Sequence, residues 1–295
     1  MKQKVLVTGA SGFIGNYVVR QLLRMNCSVI ATSANEQKAK HNAWFDAVTY
    51  IPLDFKDFPP GTDYFNFFGR PDRLIHLAWE GLPNYKSLFH IEENLPRHFA
   101  FLSNMIRGGL SDLTVTGTCL EYGLQEGSLS EDMPCFPSNP YAIAKDSLRK
   151  FLDELRKTQA FNFKWIRLFY LHGQGQNPNS LLSQLDKAVK AGESVFNMSG
   201  GEQVRDYLPV EEAARIIAFA ALQQKTTGII NCCSGEPVSI RKFIEDYCHR
   251  NRIPIKLNFG YYPYTDYEPM RFWGDTQKLQ QMMGELDNPV NTVSQ

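Results

Sequence analysis

Residues 117–123 read Gly-Thr-Cys-Leu-Glu-Tyr-Gly, which sets a hydroxyl, a thiol, a carboxylate and a phenol close together on Thr118, Cys119, Glu121 and Tyr122. Further on, Pro140-Tyr141-Ala142-Ile143-Ala144-Lys145 places a second phenol four residues ahead of an amine. On a helix those two positions share a face. Ser138 or Asn139 can cap such a helix, and Pro140 suits its first turn. A lysine ammonium beside a phenol favours the phenolate and lowers a pKa that is about 10 in free tyrosine. Tyr141 then becomes an acid/base usable near neutrality, a role worth about 10²–10⁴-fold in rate. A Tyr–Lys pair at this spacing also occurs on ordinary solvated helix faces, so the chemistry needs further support from the chain.

That support begins at the N-terminus. Val5-Leu6-Val7 reads as a short apolar strand, and Phe13 to Met25 has helical spacing through Ile14, Val18 and Leu22. Between them runs Thr8-Gly9-Ala10-Ser11-Gly12-Phe13-Ile14-Gly15. A tight turn calls for Gly9, close approach of a pyrophosphate for Gly12, and close helix–strand packing for Gly15. The helix start offers free N–H groups and a partial positive charge to phosphate. Ser11, Phe13 and Ile14 complete the expected dinucleotide loop.

The end of the second strand bears on which dinucleotide. An acid there would bind the ribose 2′-hydroxyl of NAD. The chain reads Ile30-Ala31-Thr32-Ser33-Ala34-Asn35, with no acid before Glu36. A 2′-phosphate would not be repelled, and Ser33, Asn35 and Lys38 are placed to meet it. NADP, as NADPH, is the favoured cofactor; the alternative is that Glu36 bends back and selects NAD.

The wider pattern supplies the frame. Further strands are expected at 28–32, 48–53, 74–78, 113–117 and 163–169, with a long helix over 87–107. Short apolar strands alternating with helices give an α/β fold, a doubly wound parallel Rossmann sheet. We expect residues 1–171 to form the dinucleotide-binding domain. Residues 172–295 then form a smaller, partly interleaved substrate lobe of loops and short elements. Its segment 204–233, with a helix at 211–223 and a strand at 228–233, is expected to return to the sheet, and the chain from Asn288-Pro289 reads as a frayed tail.

The 295 residues carry 31 basic and 31 acidic side chains, and no basic stripe supports a nucleic-acid surface. No apolar run is long enough for a membrane span. The six cysteines lack C-x-x-C spacing and a secreted-type framework. A cytoplasmic location is the simplest expectation.

The G-x-x-G-x-x-G spacing and Thr118 followed by Tyr122-Gly123 fit one pattern with the Tyr141/Lys145 pair. It resembles the extended short-chain dehydrogenase/reductase superfamily, the NAD(P)-dependent sugar-nucleotide epimerases, dehydratases and reductases. The likeness runs from about residue 4 to 283. It implies a catalytic set of Thr118, Tyr141 and Lys145, with Thr118 polarising the substrate carbonyl, and with Tyr141 and Lys145 also contacting the cofactor, Lys145 by holding the nicotinamide ribose. It further implies cofactor contacts after strands three and four, at Asp54 and Phe55 and at Leu77 and Ala78. Asp54 and Ala78 are equally plain strand-end residues.

Sugar-nucleotide 4,6-dehydratases of this kind carry Thr-Asp-Glu where this chain has Thr118-Cys119-Leu120, so their carboxylates are missing. Cys119 reads as a packed thiol, the alternative being an acid/base like the cysteine that epimerase-reductases of this kind carry one residue later, at the place of Leu120; Glu121 either contacts substrate or caps a loop. Trp165 to Gly175 resembles strand six and its substrate loop, with Gln174, Gln176 and Asn177 as hydrogen-bonding candidates and His172 packing. Arg205, in Val204-Arg205-Asp206-Tyr207, would pair with a substrate diphosphate, or else with Asp206 or Glu202. The aromatic run 261–273 would stack on a base or sugar or cover a core, and Arg271 stands in for an absent upstream arginine.

The resemblance thus implies reduction of the 4-keto group of a 4-keto-6-deoxyhexose linked to dTDP, CDP, GDP or UDP. Its alternatives are a 4-epimerase with tightly held cofactor and a non-catalytic NADP-sensing regulator. It also implies a homodimer built on helices 87–107 and 140–158. No metal is expected.

Overall fold

The computed structural model describes residues 2–57, 59, 61–264 and 268–287. The expected tail from Asn288 lies outside the described residues, as does the middle of the 261–273 run.

The first part of the chain alternates strand and helix. It runs β1 (Lys4–Thr8), α1 (Phe13–Arg24), β2 (Ser28–Thr32), α2 (Glu36–Lys40), β3 (Thr49–Tyr50), α3 (Tyr64–Phe67), β4 (Arg73–His76), α4 (Leu95–Arg107), β5 (Asp112–Thr118), β6 (Gly127–Leu129), α5 (Pro140–Leu155) and β7 (Asn162–Leu168). The remainder holds β8 (Tyr170–His172), α6 (Leu181–Lys190), β9 (Val195–Asn197), β10 (Val204–Pro209), α7 (Val210–Leu222), β11 (Gly228–Cys232), β12 (Pro237–Ser239), α8 (Ile240–Asn251), β13 (Lys256–Asn258), β14 (Phe272–Gly274) and α9 (Gln277–Asp287).

Seven strands form one parallel sheet in the order β11-β7-β5-β4-β1-β2-β3. The central strands are covered on both faces, which is why they read as apolar runs. Every residue of β5 is buried. On one face Val18, Val19 and Leu22 of α1 meet Ala213, Ile217 and Ala221 of α7. On the other, Phe101, Leu102 and Met105 of α4 meet Leu148 and Leu152 of α5.

Two elements differ from expectation. The third strand is only Thr49–Tyr50, because it is an edge strand paired on one side. The long helix begins at Leu95, preceded by a π-helical turn over His90–Asn94. Within 204–233 the return to the sheet is divided. α7 packs on the sheet and β11 joins its edge, whereas β10 pairs with β8 and β12 in a separate three-stranded sheet.

At the start of β5 the Asp112 carboxylate is buried and binds two cations, Arg73 of β4 and Lys164 of β7. Lys164 Nζ lies 2.8 and 3.0 Å from its two oxygens. Arg73 also donates to the Ala221 carbonyl at 2.8 Å, tying α7 to the same point. The catalytic candidates sit at the opposite, C-terminal end of the strands, where open α/β sheets bind ligands.

Candidate active site

The β1–α1 loop is shaped by what it lacks. Gly9 has φ +67°, and a Cβ there would stand 2.9 Å from Ala78 N. A Cβ on Gly15 would strike the Gly9 carbonyl and stand 2.8 Å from Ala10 Cα. Gly12 caps α1 in an extended conformation with no side chain over the helix start. The first N–H groups of a helix have no partner within it, so this end forms a bare anion cradle. The residues present fit a dinucleotide pyrophosphate.

Around it, Ser11 Oγ donates to Ser33 Oγ at 2.9 Å, and Tyr50 hydroxyl lies 2.9 Å from the same atom. Asn35 caps α2 by accepting from Lys38 N at 2.8 Å, and Glu36 pairs with Lys40. Phe13 packs edge-on against Tyr17, and Ile14 joins the α1–α7 core. Asp54 accepts from Lys56 N at 2.9 Å. Leu77 N and Ala78 N both donate to Thr8 Oγ1. Phe55 is buried against His76, His98 and Phe101.

The structure brings Thr118, Tyr141 and Lys145 together beneath the end of β5. Asn139 caps α5 by accepting from Ala142 N at 3.0 Å, and Pro140 opens the helix. Thr118 Oγ1 accepts from Leu120 N at 3.3 Å, and the Thr118 hydroxyl is close enough to the Tyr141 phenol to pull its pKa down. Lys145 Nζ donates to the Thr116 carbonyl at 2.7 Å and lies 4.2 Å from the centre of the Trp79 ring.

One expected effect is corrected. Lys145 does not hold the Tyr141 phenol low here. Burial raises it well above the free value, with Tyr85, Glu121 and Cys119 adding to the rise and Thr118 opposing it. Burial pushes Lys145 itself down to about 7, against the pull of Glu121. Tyr141 therefore holds its proton, the state of an acid rather than a base. Burial also drives the Cys119 thiol far up, so it is not a thiolate near neutrality.

A group the sequence reading did not single out surrounds these residues. Trp79 stacks on His98 at 4.8 Å and donates from Nε1 to His90 Nδ1 at 3.1 Å. His98 Nδ1 lies 2.9 Å from His76 Nε2, and His76 Nδ1 lies 2.9 Å from Thr8 Oγ1. Trp79, adjoining Ala78, was the one signal in the sequence. The histidines meet only through the packing of α4 on β4.

Those histidines make a testable acid liability. Burial pushes His98 down to about 3, with the Lys145 charge adding, and lowers His76 as well. Unfolded, each takes a proton near pH 6.5. The unfolded chain then binds more protons, so their stability contribution is full above about pH 6.5 and drains as pH falls toward the folded values. Thermal melts should show the midpoint falling as pH drops below 6.5, with a shallower fall in His98→Phe. An equal slope in both proteins would refute the assignment.

Two expected substrate contacts are engaged within the protein, and for Glu121 the capping alternative is the one seen. Glu121 is fully buried, its carboxylate taken by Thr118 N, Trp165 Nε1 and Arg167 Nε. Arg205 is buried and paired with Glu268 at 2.9 Å, with its guanidinium 4.7 Å from the Phe272 ring centre. Neither Asp206 nor Glu202 is its partner. Asp206 instead accepts from Ser234 N, Gly235 N and Gly274 N, and Glu202 faces Arg241.

Gln174 is exposed, its carbonyl accepting from Tyr17 hydroxyl. Gln176 bonds Gly173 N and Ser180 Oγ within its own loop, and Asn177 accepts from Asn179 N. Arg271 is exposed beside β14. His172 packs against Phe243 at 5.5 Å.

A parallel doubly wound sheet with a glycine cradle at its switch point defines a nucleotide-dependent α/β enzyme class. Residues 5–233 match the model of the NAD dependent epimerase/dehydratase family. The chain belongs to that family, whose members here act on sugar nucleotides with a nicotinamide dinucleotide. It is 30% identical over 271 residues to a dTDP-6-deoxy-L-talose 4-dehydrogenase (NAD(+)) of Aggregatibacter actinomycetemcomitans, covering 92% of this chain and 98% of the relative. A GDP-6-deoxy-D-talose 4-dehydrogenase of the same organism is 26% identical, over 95% and 91%. Among solved structures, a UDP-N-acetylglucosamine 4-epimerase from Methanobrevibacter ruminantium shares the fold, with TM-score 0.83, 22% identity, and coverage of 96% and 92%. No helix among the described residues is long and apolar enough to cross a membrane.

Proposed function

We propose that this protein transfers a hydride between a nicotinamide dinucleotide and C4 of a nucleotide-linked 6-deoxyhexose, working as a 4-ketoreductase. The observation that carries the reading is the buried Tyr141 phenol, kept protonated beside Thr118, with the neighbouring Cys119 thiol also kept protonated by burial. A bound nicotinamide would supply the hydride. Thr118 donates a hydrogen bond to the carbonyl oxygen as charge gathers there, and Tyr141 gives it a proton. Lys145 orients the ribose. The glycine cradle holds the pyrophosphate.

The relatives named 4-dehydrogenases favour this reading. Alcohol oxidation and ketone reduction are one hydride transfer run in opposite directions. The relatives named 4-epimerases favour a second reading, in which the same residues oxidise and re-reduce C4 with no net use of cofactor. A panel of 4-keto-6-deoxyhexoses on dTDP, CDP, GDP and UDP, offered with NADPH and with NADH, separates them. Stoichiometric loss of nicotinamide absorbance supports the reductase; stereoisomer exchange without that loss supports the epimerase.

NADPH is the proposed cofactor. The Ser11–Ser33–Tyr50 hydroxyls carry no charge, and the Glu36 carboxylate is paired with Lys40. The Michaelis constant should be lower for NADPH than for NADH, and Ser33→Asp should invert that order. Wild-type preference for NADH, unmoved by the substitution, would end the idea.

We also propose a homodimer through α4 and α5. Ile143 and Phe151 stand exposed on α5, and Phe99 of α4 packs edge-on against Phe151 at 5.4 Å. Sedimentation at micromolar concentration should give twice the chain mass; a monomer would reject it.

A further inference from the structure

Glu121 and Arg167 are both fully buried, joined Oε2 to Nε at 2.8 Å. Such a pair pays a desolvation cost that two packed apolar side chains would avoid, so packing alone does not account for it. The carboxylate is also held by Trp165 Nε1, 3.0 Å from each oxygen. Arg167 is fixed in turn, lying 4.4 Å over the Tyr122 ring with Nη2 at 2.7 Å from Cys135 Sγ.

What this anchored carboxylate acts on is the turn after β5. Its Oε1 accepts from Thr118 N at 2.8 Å, while Thr118 Oγ1 accepts from Leu120 N. The two bonds form a reciprocal capping box around one turn of 3₁₀ helix, Cys119–Tyr122. They set both the backbone and the side-chain rotamer of Thr118. With one lone pair given to Leu120, the hydroxyl is left with its proton for a carbonyl or phenol oxygen.

We propose that Glu121, anchored by Arg167 and Trp165, is the positioning residue that aims the Thr118 hydroxyl at the Tyr141 phenol and the substrate oxygen. It touches neither substrate nor cofactor; its charge also weighs on Tyr141 and Lys145, but its positioning role runs through Thr118. This rests on the ketoreductase reading above.

The test is a double-mutant cycle on turnover. Glu121→Gln keeps the shape and loses the charge that fixes the turn. Turnover should fall about tenfold, with the Michaelis constant for the nucleotide sugar within about twofold. In the Thr118→Val background, measured at high enzyme concentration, the same change should cost less than about twofold. A tenfold loss in both backgrounds, or a loss of thermal stability with turnover intact, would overturn the proposal. Trp165→Phe serves as the second variant if Glu121→Gln does not fold. It removes one donor from the carboxylate, leaves the Arg167 pair, and should lose about threefold in wild type and nothing beside Thr118→Val.

A substrate-free arm separates this idea from the function on which it rests. Crystal structures of wild type and Glu121→Gln, or Trp165→Phe in its place, should show the Thr118 hydroxyl turned from Tyr141 in the variant. An unmoved hydroxyl overturns the positioning role. Failure of wild type to turn over any sugar in the panel counts against the ketoreductase reading, and the crystallographic comparison then decides this one.

Discussion

Tyr141→Phe is expected to lose turnover on the order of 10²-fold or more, and Thr118→Val a similar amount. The phenyl ring keeps the packing of Tyr141 against Trp79 and Tyr85 but has no proton to give. Valine keeps the shape of Thr118 but cannot meet the charge gathering on the substrate oxygen. Neither residue belongs to the glycine cradle, so dinucleotide affinity, read by fluorescence titration, should stay nearly intact. Cys119→Ser should remain active, because ketoreduction needs no second acid/base. A Cys119→Ser protein that consumes NADPH but yields another sugar stereoisomer would overturn this and give the thiol an epimerising role. Tyr141→Phe with full turnover would remove the phenol from the mechanism altogether.

Asp112→Ala is expected to produce the largest loss of stability, about 3–5 kcal/mol. It would leave Arg73 and Lys164 buried with no counter-charge at the base of the sheet. Burial already favours neutral Lys164, and the Asp112 carboxylate is the chief influence holding it charged. Urea denaturation should place the variant's midpoint far below wild type. Asp112→Ala combined with Lys164→Met should recover part of the loss, since one stranded cation is then gone. A single variant within about 1 kcal/mol of wild type would show that water or a shifted carbonyl can take the carboxylate's place.

How far the sequence foretells this molecule depends on how local each cause is. Val5-Leu6-Val7 and 113–117 read as strands because both faces of a central parallel strand are covered. The edge strand Thr49–Tyr50 has no such cover, and its extent was overread. Helices α6 and α8 escaped notice in a region read as loops. Each nonetheless carries an apolar stripe at helical spacing, Leu181, Leu185, Ala188 and Val189 in α6 and Ile240, Phe243, Ile244, Tyr247 and Cys248 in α8, and the Gly-, Asn- and Pro-rich stretches around them hid it.

At the site, the glycines and the Tyr141/Lys145 pair were legible because chain spacing alone sets them. The burial of Glu121 was not, since its partner Arg167 lies 46 residues away. The partner of Arg205 was hidden for the same reason: Glu268 is 63 residues further on. The rise in the Tyr141 pKa follows from burial, a property of the whole packed site rather than of a motif.

Gly117 gives this arrangement a signature of its own. A Cβ there would collide with Trp165 Nε1 and with Glu121 Oε1. The glycine is thus the hole in which the glutamate's head sits, and the two letters are expected to change together. A relative with any side chain at the position of Gly117 should have surrendered the glutamate, and the indole and guanidinium that grip it should then be free to drift to apolar residues. Gly, Glu, Trp and Arg at 117, 121, 165 and 167 can therefore be searched as one four-letter word, which would sort this family by how the threonine is held rather than by which sugar it meets.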